Sequence, residues 1–176
     1  MIDRSASATV IRPYRPERDA EALWRLKTAF EQELAGLSGT EASNKRYREK
    51  LDDRYRERYL AWVDRCVEGE PCVQLAVSGD RAIGYAFILP ERLAMIWDGA
   101  VLNELFVEPD HRGTGVADEL LAGAMAVARE QSLPMDRFVL DVGPSNDRAR
   151  AFYRRHGFQE WGELVARPLS PGITSD

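Results

Sequence analysis

With 176 residues the chain is long enough for one domain with its own core and short for two. Its 44% hydrophobic content falls in short blocks, and no apolar run of about 18 residues offers a membrane-spanning helix. A formal net charge of −5 argues against nucleic-acid binding by phosphate neutralisation and slightly favours a cationic partner.

Residues 1–8 carry no apolar segment of the kind a secretory signal needs, so a flexible start and a cytoplasmic location are expected. Residues 9–14 read as a first strand. Pro16, Glu17 and Asp19 then open a helix with Ala22, Leu23, Leu26, Ala29 and Phe30 on one face, ended by Gly36. A turn at 37–40 follows. Tyr47, Leu51, Tyr55, Tyr59, Trp62, Val63 and Cys66 then recur at helical spacing. Between positions 41 and 68 the bases Lys45, Arg46, Arg48, Lys50, Arg54, Arg56, Arg58 and Arg65 are nearly balanced by Glu41, Glu49, Asp52, Asp53, Glu57, Asp64 and Glu68. That balance describes a solvated, ion-paired helix face rather than a phosphate-binding one.

From Cys72 the period changes to that of strands. Residues 72–77 and 82–89, joined by Ser78, Gly79 and Asp80, form a predicted hairpin. An irregular connection over 90–98 leads to a strand over 100–107, stopped by Glu108 and Pro109. The spacing then predicts a helix over 114–131, a strand over 137–142, a helix over 146–155 and one or two closing strands within 158–165. Two βαβ-like passages thus occupy the second half, and ligands tend to bind where such strands end against helix N-termini. A single domain is expected over 9–169, with a flexible tail at 170–176.

The strand-to-helix corner reads Val107-Glu108-Pro109-Asp110-His111-Arg112-Gly113-Thr114-Gly115-Val116-Ala117. Without a Cβ, Gly113 and Gly115 let the backbone approach a bulky anion, and the first N–H groups of the helix point at it. The spacing lacks the Gly-Lys-Ser/Thr ending of a P-loop and the third glycine and downstream acid of a dinucleotide fingerprint. Nucleoside triphosphates and nicotinamide dinucleotides are therefore disfavoured. His111 and His156, the only histidines, have no partners at ligand spacing, and no metal is expected. Cys66 and Cys72 read as reduced thiols.

Arg112-x-x-Gly115-x-Ala117, followed by Asn146-x-x-Ala149-x-x-Phe152-Tyr153-x-x-x-Gly157-Phe158, resembles the two signature motifs of the GNAT superfamily of N-acetyltransferases. The resemblance is close over 102–158; before that only the order of elements agrees. It implies an α/β fold whose mixed, mostly antiparallel central sheet is flanked by helices and splays between the fourth and fifth strands. It also implies acetyl-CoA as co-substrate. Arg112, Gly113, Thr114, Gly115, Val116 and Ala117 would hold the pyrophosphate through backbone amides. Leu105, Phe106 and Val107 would pair with the pantetheine arm, and Asn146 would orient it, with Ala149, Phe152 and Tyr153 on the same helix completing the coenzyme site. Tyr153 would also protonate the leaving thiolate. Alanine at 117, where glycine is commoner in the family, adds one methyl.

Chemistry gives separate reasons for two of these roles. A lysine-like amine with pKa about 10.4 is neutral only to roughly one part in a thousand at pH 7, so some group must take its proton. Glu104, on the same strand face as Phe106, is the candidate base; the plain alternative is a solvent-facing acid on a strand edge. A tyrosine with pKa near 10 remains protonated at neutral pH and can serve a thiolate of pKa about 8.5. Phe30, Glu33, Trp97 and Asn103, with Asp98, are candidates for the acceptor pocket. The expected partner is a small-molecule or peptide amine, with neither nucleic acid nor membrane, and a homodimer is compatible with the family. The competing expectations are a non-catalytic acetyl-CoA-binding sensor or interaction domain of the same fold and a transferase of longer acyl groups.

Overall fold

A computed structural model describes residues 8–37, 45, 47, 51–165 and 169. The chain falls into two compact units, Met1–Asp141 and Val142–Asp176. In the first, strand β1 (Thr9–Pro13) leads into helix α1 (Pro16–Leu37). Proline suits the first helical position because its missing N–H would find no partner there. Asp19 pins this helix start to the strand before it. Its carboxylate accepts the Arg15 N–H at 2.9 Å and both terminal nitrogens of Arg12 at 2.7 and 2.8 Å. Helix α2 (Asp53–Val67) is capped by Asp52, which accepts the Tyr55 N–H at 2.7 Å. Lys45 and Tyr47 are also helical. The rest of that stretch, and the turn expected at 37–40 beyond Leu37, lie outside the described residues, as do the terminal segments 1–7 and 170–176.

Strands β2 (Val73–Ser78) and β3 (Arg81–Ile88) form the predicted hairpin, with Ser78 opposite Arg81. The connection over 90–98 is partly regular: a one-turn helix α3 (Glu91–Ala94) and a 3₁₀ turn (Met95–Trp97) precede strand β4 (Ala100–Val107). A second 3₁₀ turn (Pro109–His111), helix α4 (Val116–Glu130) and the short strand β5 (Phe138–Leu140) complete this unit. The sheet runs in the order β1-β2-β3-β4-β5, antiparallel from β1 to β4, with β5 parallel to β4.

Alternation divides the residues of β3 between two layers. Tyr85 and Phe87 join Leu23 and Leu26 of α1 and Tyr59 and Val63 of α2 in one buried cluster. Gly84 faces the other way, where a Cβ would stand 3.2 Å from Leu120 of α4 and 2.7 Å from the Phe106 carbonyl oxygen. Only glycine lets β3, β4 and α4 approach this closely. The sheet is therefore covered by α1 and α2 on one face and by α4 on the other.

In the second unit, helix α5 (Asp147–Arg155) is capped by Asn146 and ends in a left-handed Gly157, φ +83°. The closing strands expected within 158–165 are not formed: this segment is irregular, with Trp161 57%, Leu164 64% and Val165 87% exposed. Strand propensity reflects fit to a half-buried pleated surface, and this unit holds no other strand among the described residues to pair with.

Candidate active site

The corner after β4 is built by its glycines. The 3₁₀ turn is closed by the Arg112 N–H on the Pro109 carbonyl, and Thr114 Oγ1 donates to the His111 carbonyl at 2.7 Å. Gly113 and Gly115 then adopt φ of +75° and +91°, in the region that other residues avoid, and Gly115 is the N-cap of α4. A Cβ at either would meet no atom within 4 Å, so both open onto space large enough for a ligand to approach the main chain. The Glu119 N–H makes its helical bond to the Gly115 carbonyl at 3.0 Å. The N–H groups of Val116 and Ala117 precede it and point out of the helix end, where the helix dipole is positive. The corner is thus shaped for an anion such as a pyrophosphate.

The Arg112 side chain turns back from the corner. Its Nε donates to the Val107 carbonyl at 2.8 Å, one terminal nitrogen reaches Glu33 at 2.5 Å, and the guanidinium lies 5.5 Å from the Phe106 ring centre. What Arg112 offers an anion here is backbone, with its charge spent on fixing the end of β4 to α1.

β4 itself supplies an open edge. β5 pairs with it only at Ala100, Val101 and Leu102, so beyond Leu102 no strand lies beside it among the described residues. On the other side Phe87 is paired with Glu104 and Ile88 with Leu102, which makes Asn103 the extra residue of a bulge. The Glu108 N–H donates to the Ile83 carbonyl at 2.9 Å. Inward and outward residues alternate in an antiparallel pair, so the main-chain groups of Leu105 and Val107 point to the open edge.

The sequence singled out Glu104 but not the group around it. Its carboxylate is buried, and Lys27 Nζ donates to Oε1 at 2.6 Å while the hydroxyls of Tyr59 and Tyr85 donate to Oε2 at 2.9 and 2.6 Å. Lys27 also meets Glu31 at 2.5 Å, and Lys27 and Glu31 are 3% and 2% exposed. Burial alone would lower the proton affinity of Lys27, but the charges of Glu104 and Glu31 outweigh it and hold the ammonium above the usual lysine pKa. Burial first, and then the Glu104 charge, push the Tyr59 and Tyr85 phenols well above theirs. The signal for Lys27 and Glu31 was present: they stand one turn apart on the apolar face of α1, beside Leu23 and Phe30.

Of the acceptor-side candidates, Phe30 packs edge-on against Tyr85 and Phe106, with ring centres 6.4 and 6.1 Å apart. Glu33 is taken up by Arg112. Asn103 is exposed on the bulge, its Nδ2 3.4 Å from Glu104 Oε1. Trp97 is exposed on its separate 3₁₀ turn, next to Asp98, which takes a left-handed φ of +54°. The structure thus links Phe30, Glu33, Asn103, Glu104, Phe106 and Arg112, and leaves Trp97 apart from them.

In the second unit Asn146 Oδ1 accepts the Ala149 N–H at 3.2 Å and so starts α5. Tyr153 packs its ring on Phe152 and Phe158, at 5.3 and 5.5 Å, and Phe152 lies 4.7 Å from His156. Burial pushes the Tyr153 hydroxyl up to about 12, so it is protonated throughout the physiological range and is a weaker acid than an exposed phenol.

The family model described as Acetyltransferase (GNAT) family matches residues 37–158. The chain is 35% identical over 74 residues to an uncharacterised N-acetyltransferase of Methanocaldococcus jannaschii, a match covering 39% of this chain and 32% of that one. It therefore spans about a third of the length of that curated relative. Among solved structures it is similar to the PaiA N-acetyltransferase of Thermoplasma acidophilum in complex with coenzyme A, with TM-score 0.65 and 20% identity over 86% of this chain and 90% of the other. It is also similar to an aminoglycoside N-acetyltransferase in complex with CoA, with TM-score 0.66 and 17% identity over 96% and 98% of the two chains. At these identities the structures speak for the fold, and the family match reaches from the end of α1 through α5. On that match the chain belongs to the GNAT acetyltransferase family.

Proposed function

We propose that the protein transfers an acetyl group from acetyl-CoA to a primary amine by direct attack, with no covalent enzyme intermediate. The observation that carries this reading is the open edge of β4, which runs from the bulge at Asn103 into the two-glycine corner at the start of α4. An extended amide-bearing arm can pair with the main chain of Leu105 and Val107 as an added strand would. Its pyrophosphate then meets the backbone of residues 112–117, where the space beside Gly113 and Gly115 fits it. When bound, the coenzyme supplies an acetyl thioester.

The rest of the chemistry falls to the chain's own residues. Glu104 takes the proton that the amine sheds as its nitrogen forms the new bond to the acetyl carbon and the carbon–sulfur bond breaks. Asn103, on the exposed bulge beside it, and the ring of Phe30 border the amine. On the motif match, Tyr153 is assigned to the departing sulfur, which leaves as a thiolate and takes its proton from solvent. With a pKa of about 12 the tyrosine acts chiefly as a hydrogen-bond donor that stabilises the developing thiolate. Asn146, Ala149 and Phe152 are assigned to the coenzyme on the motif match.

The acceptor class is a small molecule or peptide carrying a primary amine, and the names of the similar structures suggest an aminoglycoside as one member to try. The test is calorimetric titration with acetyl-CoA, followed in the same sample by thiol release with neamine, a linear polyamine and a peptide beginning in alanine. Binding with amine-dependent release supports the reading. Absence of acetyl-CoA binding defeats it.

A further inference from the structure

We propose that Arg112 is a positioning residue whose Nε–H sets the angle between the open edge of β4 and the two-glycine corner, so that both halves of the coenzyme site stand ready for one ligand. The inference rests on the reading of that edge and that corner as the place of acetyl-CoA. The Val107 carbonyl and the Glu108 N–H belong to one peptide unit, at the end of β4. It is held at both ends. The Glu108 N–H donates inward to the Ile83 carbonyl of β3 at 2.9 Å, and Arg112 Nε donates from the open side to the Val107 carbonyl at 2.8 Å. A peptide unit is planar, so two such bonds fix its whole plane, whereas one leaves it free to tilt and to carry the corner with it.

The turn does not need this tie for its own closure. The Arg112 N–H on the Pro109 carbonyl and Thr114 Oγ1 on the His111 carbonyl already provide that. The Arg112 side chain instead reaches back five residues, past the turn, to the strand. Nor is its charge left for a phosphate: Glu33 Oε2 engages the guanidinium at 2.5 Å, which offsets its pull on an anion. What remains is geometry. A ligand that fills edge and corner together gains from their being fixed relative to each other, and a ligand that fills the corner alone does not.

Two uncharged variants separate the donor from the charge. Glutamine at this position places its amide nitrogen as many bonds from the backbone as Nε, and methionine places a methyl there. In calorimetry with acetyl-CoA, Arg112→Gln is expected to bind within about threefold of the parent and Arg112→Met about tenfold more weakly, the scale of one hydrogen bond. The nucleotide half of the coenzyme, phosphoadenosine diphosphate, lacks the arm and is expected to bind both variants as it binds the parent. Equal losses of acetyl-CoA in the two variants, parental affinity in Arg112→Met, or an equal loss of the nucleotide half overturns the proposal. Should Arg112→Met not fold, Arg112→Gln decides alone: retained affinity supports the proposal and a larger loss overturns it. The bond is also read without ligand. The Arg112 Nε–H, identified by nuclear magnetic resonance through its loss in Arg112→Gln, is expected to exchange slowly with water, and fast exchange overturns the tie. A parent that binds no acetyl-CoA despite slow exchange defeats the coenzyme reading, and this role falls with it; a parent that binds, with the wrong order among the variants, defeats the role alone.

Discussion

Tyr153 and Lys27 show how differently two side chains of the candidate site can be written into a sequence. Tyr153 is legible because its neighbours form a motif and because Asn146, seven residues earlier, is also a helix cap with its own local logic. Its environment is not legible: the rings of Phe152 and Phe158 that surround it, and the pKa of about 12 that burial produces, depend on packing. Tyr153→Phe is expected to lower kcat on the order of a hundredfold with acetyl-CoA affinity unchanged in calorimetry, as for loss of a hydrogen-bond donor to developing charge. Ionisation of this hydroxyl should not depress the rate at neutral or mildly alkaline pH, well below its pKa of about 12. Lys27 was passed over because helical periodicity counts a charge as an outward residue; its place one turn before Glu31 on the apolar face of α1 was visible, and the strand opposite explains why it points in. Asp19 belongs to the same class. Its bonds to Arg12 and to the Arg15 N–H were unreadable, and Asp19→Asn is expected to cost about 1.5–3 kcal/mol in urea unfolding at neutral pH, the range for hydrogen bonds to a charged group.

Among the elements, the hairpin, β4, the glycine corner and α4 were readable because each carries its signal locally, in a turn, a period or a cap. The closing strands within 158–165 were misread because a strand exists only in a ladder, and a sequence can state propensity without supplying a partner. The bulge at Asn103 and the early end of β5 were equally silent, since register is a property of two strands. Two substitutions test the elements that frame the site. Gly84→Ala places a Cβ 2.7 Å from the Phe106 carbonyl oxygen, a backbone atom that cannot step aside, and is expected to cost about 1–3 kcal/mol in denaturant unfolding. Gly115→Glu should instead leave the fold largely intact while weakening coenzyme binding, because its side chain would enter open space beside the expected phosphates and add both strain at φ +91° and a like charge. Unaltered acetyl-CoA affinity in that variant would contradict the anion site.

For the molecule as a whole, the charged groups set a pH window for stability. Burial raises the carboxyls of Asp19 and Glu108, but hydrogen bonds from Arg12 and from Arg81 and Arg25 outweigh it and hold both below their usual range. Groups depressed in this way contribute stability above their unfolded pKa of about 4, and that contribution is lost as the pH falls through the folded values. Lys27, raised in the folded state, contributes below its unfolded pKa of about 10.4 and ceases to as the pH climbs through its folded value. Melting temperature is therefore expected to fall on both sides of a broad neutral plateau, and the difference between Asp19→Asn and the parent should shrink as the pH falls through the folded value of Asp19. The open edge of β4 has a colloidal consequence as well. An unpaired strand edge recruits any extended chain, a second copy included, so whatever fills it also shields it. Saturation with coenzyme should slow the growth of scattered light in concentrated, warmed samples by more than its effect on melting temperature accounts for, making the ligand a guard against self-association as well as a reactant.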